Sequence, residues 1–204
     1  MTSELEVTGL SCRRGGRPVF GHLSFALARG ELLALTGRNG SGKTTLLRAL
    51  ALLVPAVQGS IRWQGAEVAR DREGWCRQIA WLGHLDGLKS DLTVAENLAI
   101  ACRLREAPPD RIDQALAAFD LALMAHRAVR TLSAGQRRRV ALARVLAAGA
   151  PLWLLDEPLN ALDAPSQAAL QAALTRHLTS GGLAVAATHA PIGIAAARTL
   201  ELGK

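Results

Sequence analysis

The sequence predicts an α/β fold in which helices cover a largely parallel sheet. Apolar runs typical of buried strands occur at residues 31–37, 151–158 and 183–189, and segments with helical periodicity lie between them. This alternation is typical of parallel sheets, because each crossover between parallel strands usually carries a helix. A glycine-rich stretch at residues 37–44 also joins the first of these strands directly to a helical segment.

The remaining elements follow in chain order. Strand-like runs at 5–11 and 18–27 are joined by the turn-rich RRGGR at 13–17. Residues from about 93 to 148 are almost wholly helical in pattern, broken at 107–110 and 131–135, and we interpret them as a helical lobe inserted into the sheet domain. Thr93 followed by Glu96 predicts a capping box that opens a helix. The run from residue 199 is strand-like.

Composition limits the classes of protein to be considered. The chain has 204 residues, of which 50% are apolar, so we expect one large domain with a real core. No apolar run reaches the ~18 residues of a membrane span, so we expect a cytoplasmic chain. The net charge is +7, but the basic residues are scattered, which favours solvated faces over a nucleic-acid site. Cys12, Cys76 and Cys102 show no paired spacing, so we expect reduced packing residues.

The stretch GRNGSGKT at residues 37–44 matches the P-loop pattern between a strand and a helix. Its glycines let backbone N–H groups and the helix N-terminus surround a phosphate, while Lys43 reaches the terminal phosphates and the Thr44 hydroxyl suits Mg²⁺. A simple glycine turn is the alternative, but a chance match is expected only a few times in a thousand. The predicted nucleotide-binding residues are Gly37, Arg38, Asn39, Gly40, Ser41, Gly42, Lys43, Thr44 and Thr45.

An apolar strand that ends in two carboxylates, LWLLDEP at residues 152–158, predicts a second part of the same site. Buried strands rarely end on adjacent acids without a cation or hydrogen-bond donors nearby. Asp156 suits the Mg²⁺ shell, and Glu157 is the candidate base for the water that attacks the γ-phosphate. Helix capping by the two acids is the alternative, and the P-loop favours the catalytic interpretation.

A third motif, LSAGQ at residues 132–136, places a cap-like serine and a glycine before a helix, so it offers a second anion site. It resembles the signature motif of ATP-binding cassette (ABC) ATPases. NALD at 160–163 resembles their D-loop, and ATHAP at 187–191 places His189 like their switch histidine. The sequence is therefore identified as a member of this family.

The resemblance implies a single ABC-type domain over residues 1–204. Its P-loop NTPase fold would have a RecA-like sheet core, an antiparallel β part and a helical lobe at about 88–148. Two such domains close head to tail in the family, with ATP and Mg²⁺ between the P-loop of one and the signature of the other. The resemblance makes Asp163 a link between the two sites and His189 a γ-phosphate sensor. The implied contacts to ATP of the second subunit are Ser133, Ala134, Gly135 and Gln136.

The stretch GHLDGLKSDLTVAENL at residues 83–98 identifies a narrower group. His84 stands where most ABC ATPases have a glutamine that touches Mg²⁺ and water in a loop facing the membrane partner. The stretch and the short chain resemble ATP-binding subunits of the haem exporter of cytochrome c maturation. That resemblance implies a peripheral protein on the cytoplasmic face of the inner membrane, with integral subunits of the CcmB and CcmC types as partners.

Arg14, a run of three arginines and three further histidines lie outside these motifs. Arg14 stands where an aromatic residue usually stacks on adenine, so base preference is open. Arg137 to Arg139 are interpreted as a solvated helix face, and we expect no chemical role for three other histidines, His22, His126 and His177. Two alternative functions remain. One is the ATPase of another ABC exporter or importer, and the other, which is less favoured, is a soluble ABC ATPase acting on nucleic acid.

Overall fold

The fold is built from two sheets and six helices in the computed structural model, which describes residues 3–195 and 197–203. In chain order the elements are β1 (Leu5–Arg14), β2 (Arg17–Leu27), β3 (Leu32–Thr36), α1 (Lys43–Leu50), β4 (Gln58–Trp63), β5 (Ala66–Glu67), α2 (Arg72–Gln78), β6 (Ile79–Leu82), α3 (Val94–Arg103), α4 (Asp110–Ala118), α5 (Ala134–Ala147), β7 (Leu152–Asp156), α6 (Ala164–Thr179), β8 (Leu183–Ala187) and β9 (Arg198–Glu201). Short 3₁₀ turns occupy Val68–Arg70, Ala122–Met124 and Val129–Thr131.

The central sheet is parallel, with the strand order β6-β7-β8-β3-β9. Strands β3, β6, β7 and β8 are largely apolar runs because both of their faces are covered, whereas the edge strand β9 is mostly exposed. In β7, Leu152 and Leu154 pack with the cluster that contains α1 and the second sheet, while Trp153 and Leu155 pack with the cluster that contains α3 to α6. This confirms the predicted parallel sheet and places the carboxyl ends of β3, β7 and β8 along one edge.

The second sheet is antiparallel, with the order β2-β1-β4-β5. The sequence predicted β1 and β2 and the turn between them, but not β4, β5, α2 or β6. The short β6 has only four residues, too few for a clear pattern. Helix α1 ends at Leu50, two residues before Leu52, which adopts a left-handed backbone with φ 54°.

Helices α3, α4 and α5 pack against one another beside the parallel sheet. The capping box predicted at the start of α3 is present: the Thr93 hydroxyl accepts from the Glu96 N–H, and the Glu96 carboxylate accepts from the Thr93 N–H. Within the described part of the chain, no helix combines the length and apolar character that a membrane span requires.

Two expectations about side-chain exposure are wrong. Arg138 is buried rather than part of a solvated face, and Arg137 and Arg139 are only partly exposed, because all three donate hydrogen bonds to backbone carbonyls. Among the cysteines, Cys12 and Cys102 are buried free thiols, as expected for packing residues, but Cys76 is exposed. Burial raises the pKa of both the Cys12 and Cys102 thiols.

Candidate functional site

The glycine-rich loop between β3 and α1 is shaped by two glycines with left-handed backbones. Gly37 has φ 130°, and a Cβ there would lie 2.3 Å from the carbonyl oxygen of Leu202. Gly42 has φ 102°, and a Cβ there would lie 2.7 Å from Cγ1 of Val19. Any larger residue at either position would clash with a neighbouring segment. The curvature of this loop therefore requires glycine.

Lys43 is buried at the start of α1, with 7% of its surface exposed. Its Nζ donates to the carbonyl oxygens of Gly37 at 2.8 Å and Arg38 at 3.2 Å. The ammonium group is thus held within its own loop, where an anion would meet it together with the N-terminus of α1.

Thr44 and Asp156 meet across the sheet edge. The Thr44 hydroxyl lies 3.0 Å from both carboxylate oxygens of Asp156, which is 3% exposed at the end of β7. A hydroxyl and a buried carboxylate at this spacing form an oxygen donor set of the kind that Mg²⁺ prefers. The geometry therefore fits the predicted metal position.

Glu157 follows Asp156 in an uncommon backbone conformation, with φ 47°. Its N–H donates to the Ala187 carbonyl at 2.9 Å, and its Oε1 lies 3.2 Å from Nε2 of His189. Both side chains are partly open to solvent. The ends of β7 and β8 thus present a carboxylate and an imidazole side by side, an arrangement suited to moving a proton.

These groups line one open cleft of about 690 Å³, a size typical of small-ligand sites. The predicted residues that line it are Arg14, Asn39, Gly40, Ser41, Gly42, Lys43, Thr44, Thr45, His84, Asp156, Glu157 and His189. Sequence reasoning missed Val19, Arg48 and Asn160, which also line it. The structure therefore brings segments from six parts of the chain to one cavity, with His84 and Arg14 included.

The segment that carries His84 is anchored by hydrogen bonds between Asn97 and its backbone. Asn97, which is buried, accepts from the Lys89 N–H at 2.8 Å and donates to the Lys89 and Thr93 carbonyls at 3.1 Å and 2.9 Å. His84 itself is exposed, and the neighbouring Leu85 is 82% exposed. The segment is therefore anchored through its backbone while its side chains remain available.

The signature residues lie apart from this cleft. Ser133 caps α5 in a capping box with Gln136, as the cap-like sequence predicted, and a smaller cleft of about 240 Å³ opens there. Asp163 at the start of α6 lines the same small cleft, and hydrogen bonds from the Ser166 hydroxyl and N–H lower the pKa of its carboxyl group. The residues around this cleft are Ser133, Gly135, Gln136, Arg139, Ala161, Asp163 and Ser166. The two sets of motifs therefore do not share a cavity within one chain.

A family model described as "ABC transporter" matches residues 20–160, which is more than half of the chain. The chain belongs to the ABC transporter family. As a member it is an ATP-binding and ATP-hydrolysing subunit, which confirms the family and enzyme class that the sequence motifs predicted. The ABC-type α/β fold is confirmed as well.

Relatives of this ABC subunit share nearly its whole length. A protein from Nitrobacter winogradskyi is 47% identical over 199 residues, covering 98% of each chain. One from Cupriavidus necator is 46% identical over 200 residues, covering 97% of this chain and 87% of the relative. Both are named "Cytochrome c biogenesis ATP-binding export protein CcmA". The subfamily resemblance inferred from the His84 segment is therefore confirmed.

Solved structures agree with the fold of this ABC subunit. One described as "Structure of ATP binding subunit of ABC transporter" superposes with a TM-score of 0.89 at 25% identity, covering 98% of this chain and 86% of the other. A second, described as "Dimeric structure of a post-hydrolysis state of the ATP-binding cassette MJ0796 bound to ADP and Pi", has a TM-score of 0.86 at 23% identity and covers 97% and 94%.

Proposed function

We propose that this chain is the ATP-hydrolysing subunit of a haem exporter in cytochrome c biogenesis. The gathering of Lys43, Thr44, Asp156, Glu157 and His189 in one cleft carries the hydrolytic part of the proposal. The export part is supported by near full-length identity of 45–47% to proteins named for cytochrome c biogenesis export. We take residues 1–204 as one ABC domain with a helical lobe at about 88–148.

ATP is proposed to bind with its phosphates in the P-loop, where backbone N–H groups and Lys43 neutralise them. Arg14 lines the same cleft, where its planar guanidinium can stack on the base. Thr44 and Asp156 would hold Mg²⁺, whose charge neutralises the β- and γ-phosphates. The 3.0 Å spacing between their oxygens supports this assignment.

Glu157 is proposed as the base that accepts the proton of the attacking water. His189, within 3.2 Å of its carboxylate, would orient that carboxylate and contact the γ-phosphate. His84 lines the same cleft and is proposed to contact the water or the metal, since a neutral imidazole can accept a hydrogen bond or bind a metal.

Hydrolysis in this proposal needs two copies of the chain. The signature cleft around Ser133, Gly135 and Asp163 is separate from the P-loop cleft, so these residues can reach a nucleotide only in another subunit. The N-terminus of α5, with Ala134 exposed at its first position and Gln136 in the capping box, would face the γ-phosphate of the second subunit. Asp163 would then connect the two sites across the interface.

Integral membrane subunits of the CcmB and CcmC types are the proposed partners, with the chain bound peripherally to the cytoplasmic face of the inner membrane. The segment at residues 83–92 would face them, since its backbone is anchored while Leu85 and Lys89 are exposed. Movement of this segment would then displace His84 in the nucleotide cleft.

Affinity purification of the tagged chain from membranes, followed by identification of the co-purifying integral subunits, tests this function. The expected result is co-purification of cytochrome c biogenesis subunits and loss of c-type cytochromes when Lys43→Ala replaces the wild-type chain. Recovery of subunits from an unrelated exporter or importer, with cytochrome c maturation intact, would replace the haem-export proposal and leave the ATPase assignment in place.

A further inference from the structure

Arg138, in the second turn of α5, is buried with 5% of its surface exposed, and it contacts two different parts of the nucleotide cleft. One terminal guanidinium nitrogen, Nη2, donates to the carbonyl oxygens of Asp156 at 2.9 Å and Glu157 at 2.6 Å. The other terminal nitrogen, Nη1, donates to the Gly83 carbonyl at 3.1 Å and to Oδ1 of Asp86 at 3.3 Å. A single side chain thus joins the end of β7 to the segment on both sides of His84.

The hydrogen bond from Arg138 to the Glu157 carbonyl falls at an unfavourable backbone conformation. Glu157 has the left-handed φ of 47°, which a residue with a Cβ adopts only when its surroundings impose it. Two hydrogen bonds impose it here: the Glu157 N–H donates to Ala187, and the Glu157 carbonyl accepts from Arg138. Arg138 therefore helps to orient the Glu157 carboxylate that faces His189.

The contact on the other side concerns the loop proposed to face the membrane partner. Gly83 and Asp86 flank His84 in sequence, so displacement of the segment would stretch the hydrogen bonds from Nη1. The planar guanidinium is rigid, so Nη1 and Nη2 must move together. Its Nε is buried and has no hydrogen-bond partner within the described structure, so only the four terminal contacts fix its orientation.

We propose that Arg138 is a positioning residue that couples the position of segment 83–86 to the orientation of the catalytic Glu157 carboxylate. When the segment is seated, Arg138 holds the Asp156 and Glu157 carbonyls and the carboxylate points at the attacking water. When the segment shifts from this position, the guanidinium shifts with it and the Glu157 carboxylate is misoriented, so a membrane subunit that keeps the segment seated would stimulate hydrolysis. This inference rests on the proposed role of Glu157 and on the proposed partner contact.

The test compares Arg138→Met and Arg138→Lys with Arg105→Met as the matched control. Arg105 is a partly buried arginine that, like Arg138, donates to a backbone carbonyl, but its acceptor is Ile79 at the opposite end of β6 from the cleft. Each full-length variant is assayed for binding of a fluorescent ATP analogue, for kcat and KM of ATP hydrolysis, and for stimulation by the co-purified membrane subunits.

Arg138→Met is expected to lower kcat by roughly 100-fold, the usual effect of misplacing a catalytic group by about 1 Å, while ATP affinity changes less than about twofold. Arg138→Lys has one ammonium nitrogen in place of the two terminal guanidinium nitrogens. It is expected to recover at least tenfold of the lost kcat by bonding to one of the two sides, yet to lose stimulation by the membrane subunits. Arg105→Met is expected to keep the wild-type kcat per folded molecule.

Three results would overturn the inference. A kcat for Arg138→Met equal to that of Arg105→Met would show that Arg138 positions nothing, and a parallel loss of ATP binding would show a purely structural role. If Arg138→Met does not fold, Arg138→Lys decides: wild-type stimulation by the membrane subunits would remove the coupling. Failure of the haem-export proposal gives a different result, because the wild-type chain would then co-purify with the membrane subunits of another transporter.

Discussion

Thr44 Oγ1 lies 3.0 Å from each carboxylate oxygen of Asp156, although 112 residues separate the two in sequence. The contact arises because β3 and β7 lie two places apart in the parallel sheet, with only β8 between them, so the loops at their carboxyl ends share one edge. Brought together in this way, the hydroxyl and the carboxylate provide two oxygen ligands of the kind that Mg²⁺ prefers.

Asp156→Asn should therefore raise the Mg²⁺ concentration needed for half-maximal ATP hydrolysis by at least roughly 10- to 100-fold, the loss of metal affinity that follows from removing even an outer-shell partner of a metal ligand. The amide can still accept from Thr44, so folding should be retained. A Mg²⁺ titration of the ATPase rate measures the shift. An unchanged titration midpoint would show that Asp156 has no part in holding the metal.

Glu157→Gln should keep ATP binding but lower turnover by roughly 10²- to 10⁴-fold, because the amide cannot accept the proton of the attacking water. With hydrolysis blocked, Mg-ATP should lock a dimer that size-exclusion chromatography detects. Glu73→Gln is the matched control, since the Glu73 side chain is 82% exposed on α2. A Glu157→Gln chain that stays monomeric with Mg-ATP and hydrolyses it normally would remove Glu157 from the catalytic role.

The sequence predicted most of the central fold because its signals are local. Continuous apolar runs predicted the buried strands β3, β7 and β8, and Thr93 with Glu96 predicted the start of α3. Strand β6 was missed because four residues give no period, although it carries the chain into the His84 segment. Its place in the sheet depends on pairing with β7, a long-range contact that local patterns do not encode.

The role of Arg138 was missed for a different reason. Three consecutive arginines were interpreted as a solvated face, but helical spacing contains a contrary signal: Ala141, Leu142 and Val145 lie three, four and seven positions after Arg138, and all are buried. Arg138 therefore shares the buried face of α5. The sequence could not show which groups accept its hydrogen bonds, because the Asp156 and Glu157 carbonyls lie at and just after the end of β7, a distant part of the chain.

Base selectivity should be weak, because Arg14 lines the cleft where an aromatic residue is usual and can stack on any purine. We expect GTP to compete for the site within about tenfold of ATP, which corresponds to ~1.4 kcal/mol. Arg14→Tyr should strengthen binding of both nucleotides, whereas Arg17→Tyr on the neighbouring strand should not. Discrimination against GTP by several kcal/mol in competition binding would reveal an adenine-reading group elsewhere.

Acid should destabilise the fold through His177. Its ring stacks on Trp153 with centroids 4.1 Å apart, and its Nε2 lies 3.0 Å from the Leu183 carbonyl. Burial lowers the pKa of His177 below its ordinary 6.5, although hydrogen bonds to the Leu183 and Pro151 carbonyls oppose the shift. The unfolded chain therefore takes up this proton at a higher pH than the folded one. The stabilising contribution is complete above pH 6.5 and is lost as the pH falls below that value.

Urea unfolding at pH 7.5 and pH 5.5 measures this effect. The wild type should lose more of its free energy of unfolding across that interval than His177→Gln, whose amide can still donate to a carbonyl but does not titrate. The exposed His126, changed to Gln, is the matched control and should leave the pH dependence as in the wild type. Equal pH dependence in His177→Gln and the wild type would contradict the assignment.

The last prediction concerns the two ends of the segment at residues 83–92. His84 lines the nucleotide cleft, whereas Lys89 is exposed and its backbone is fixed by Asn97. His84→Ala should spare ATP binding but weaken partner-stimulated hydrolysis and cytochrome c maturation. His84→Gln should retain much of both, because an amide can also accept a hydrogen bond from water. Lys89→Glu should impair assembly with the membrane subunits, since it reverses a charge on the surface proposed to face them.

The measurement is the ATPase rate of each variant with and without the membrane subunits, together with the yield of assembled complex. Arg70→Glu provides the matched charge reversal, because the Arg70 side chain is 84% exposed and lies near the antiparallel sheet rather than on the segment. If His84→Ala is stimulated like the wild type, His84 does not carry the partner's signal to the nucleotide. If Lys89→Glu assembles as well as Arg70→Glu, the membrane subunits bind elsewhere, because a reversed charge at a true contact would repel its partner.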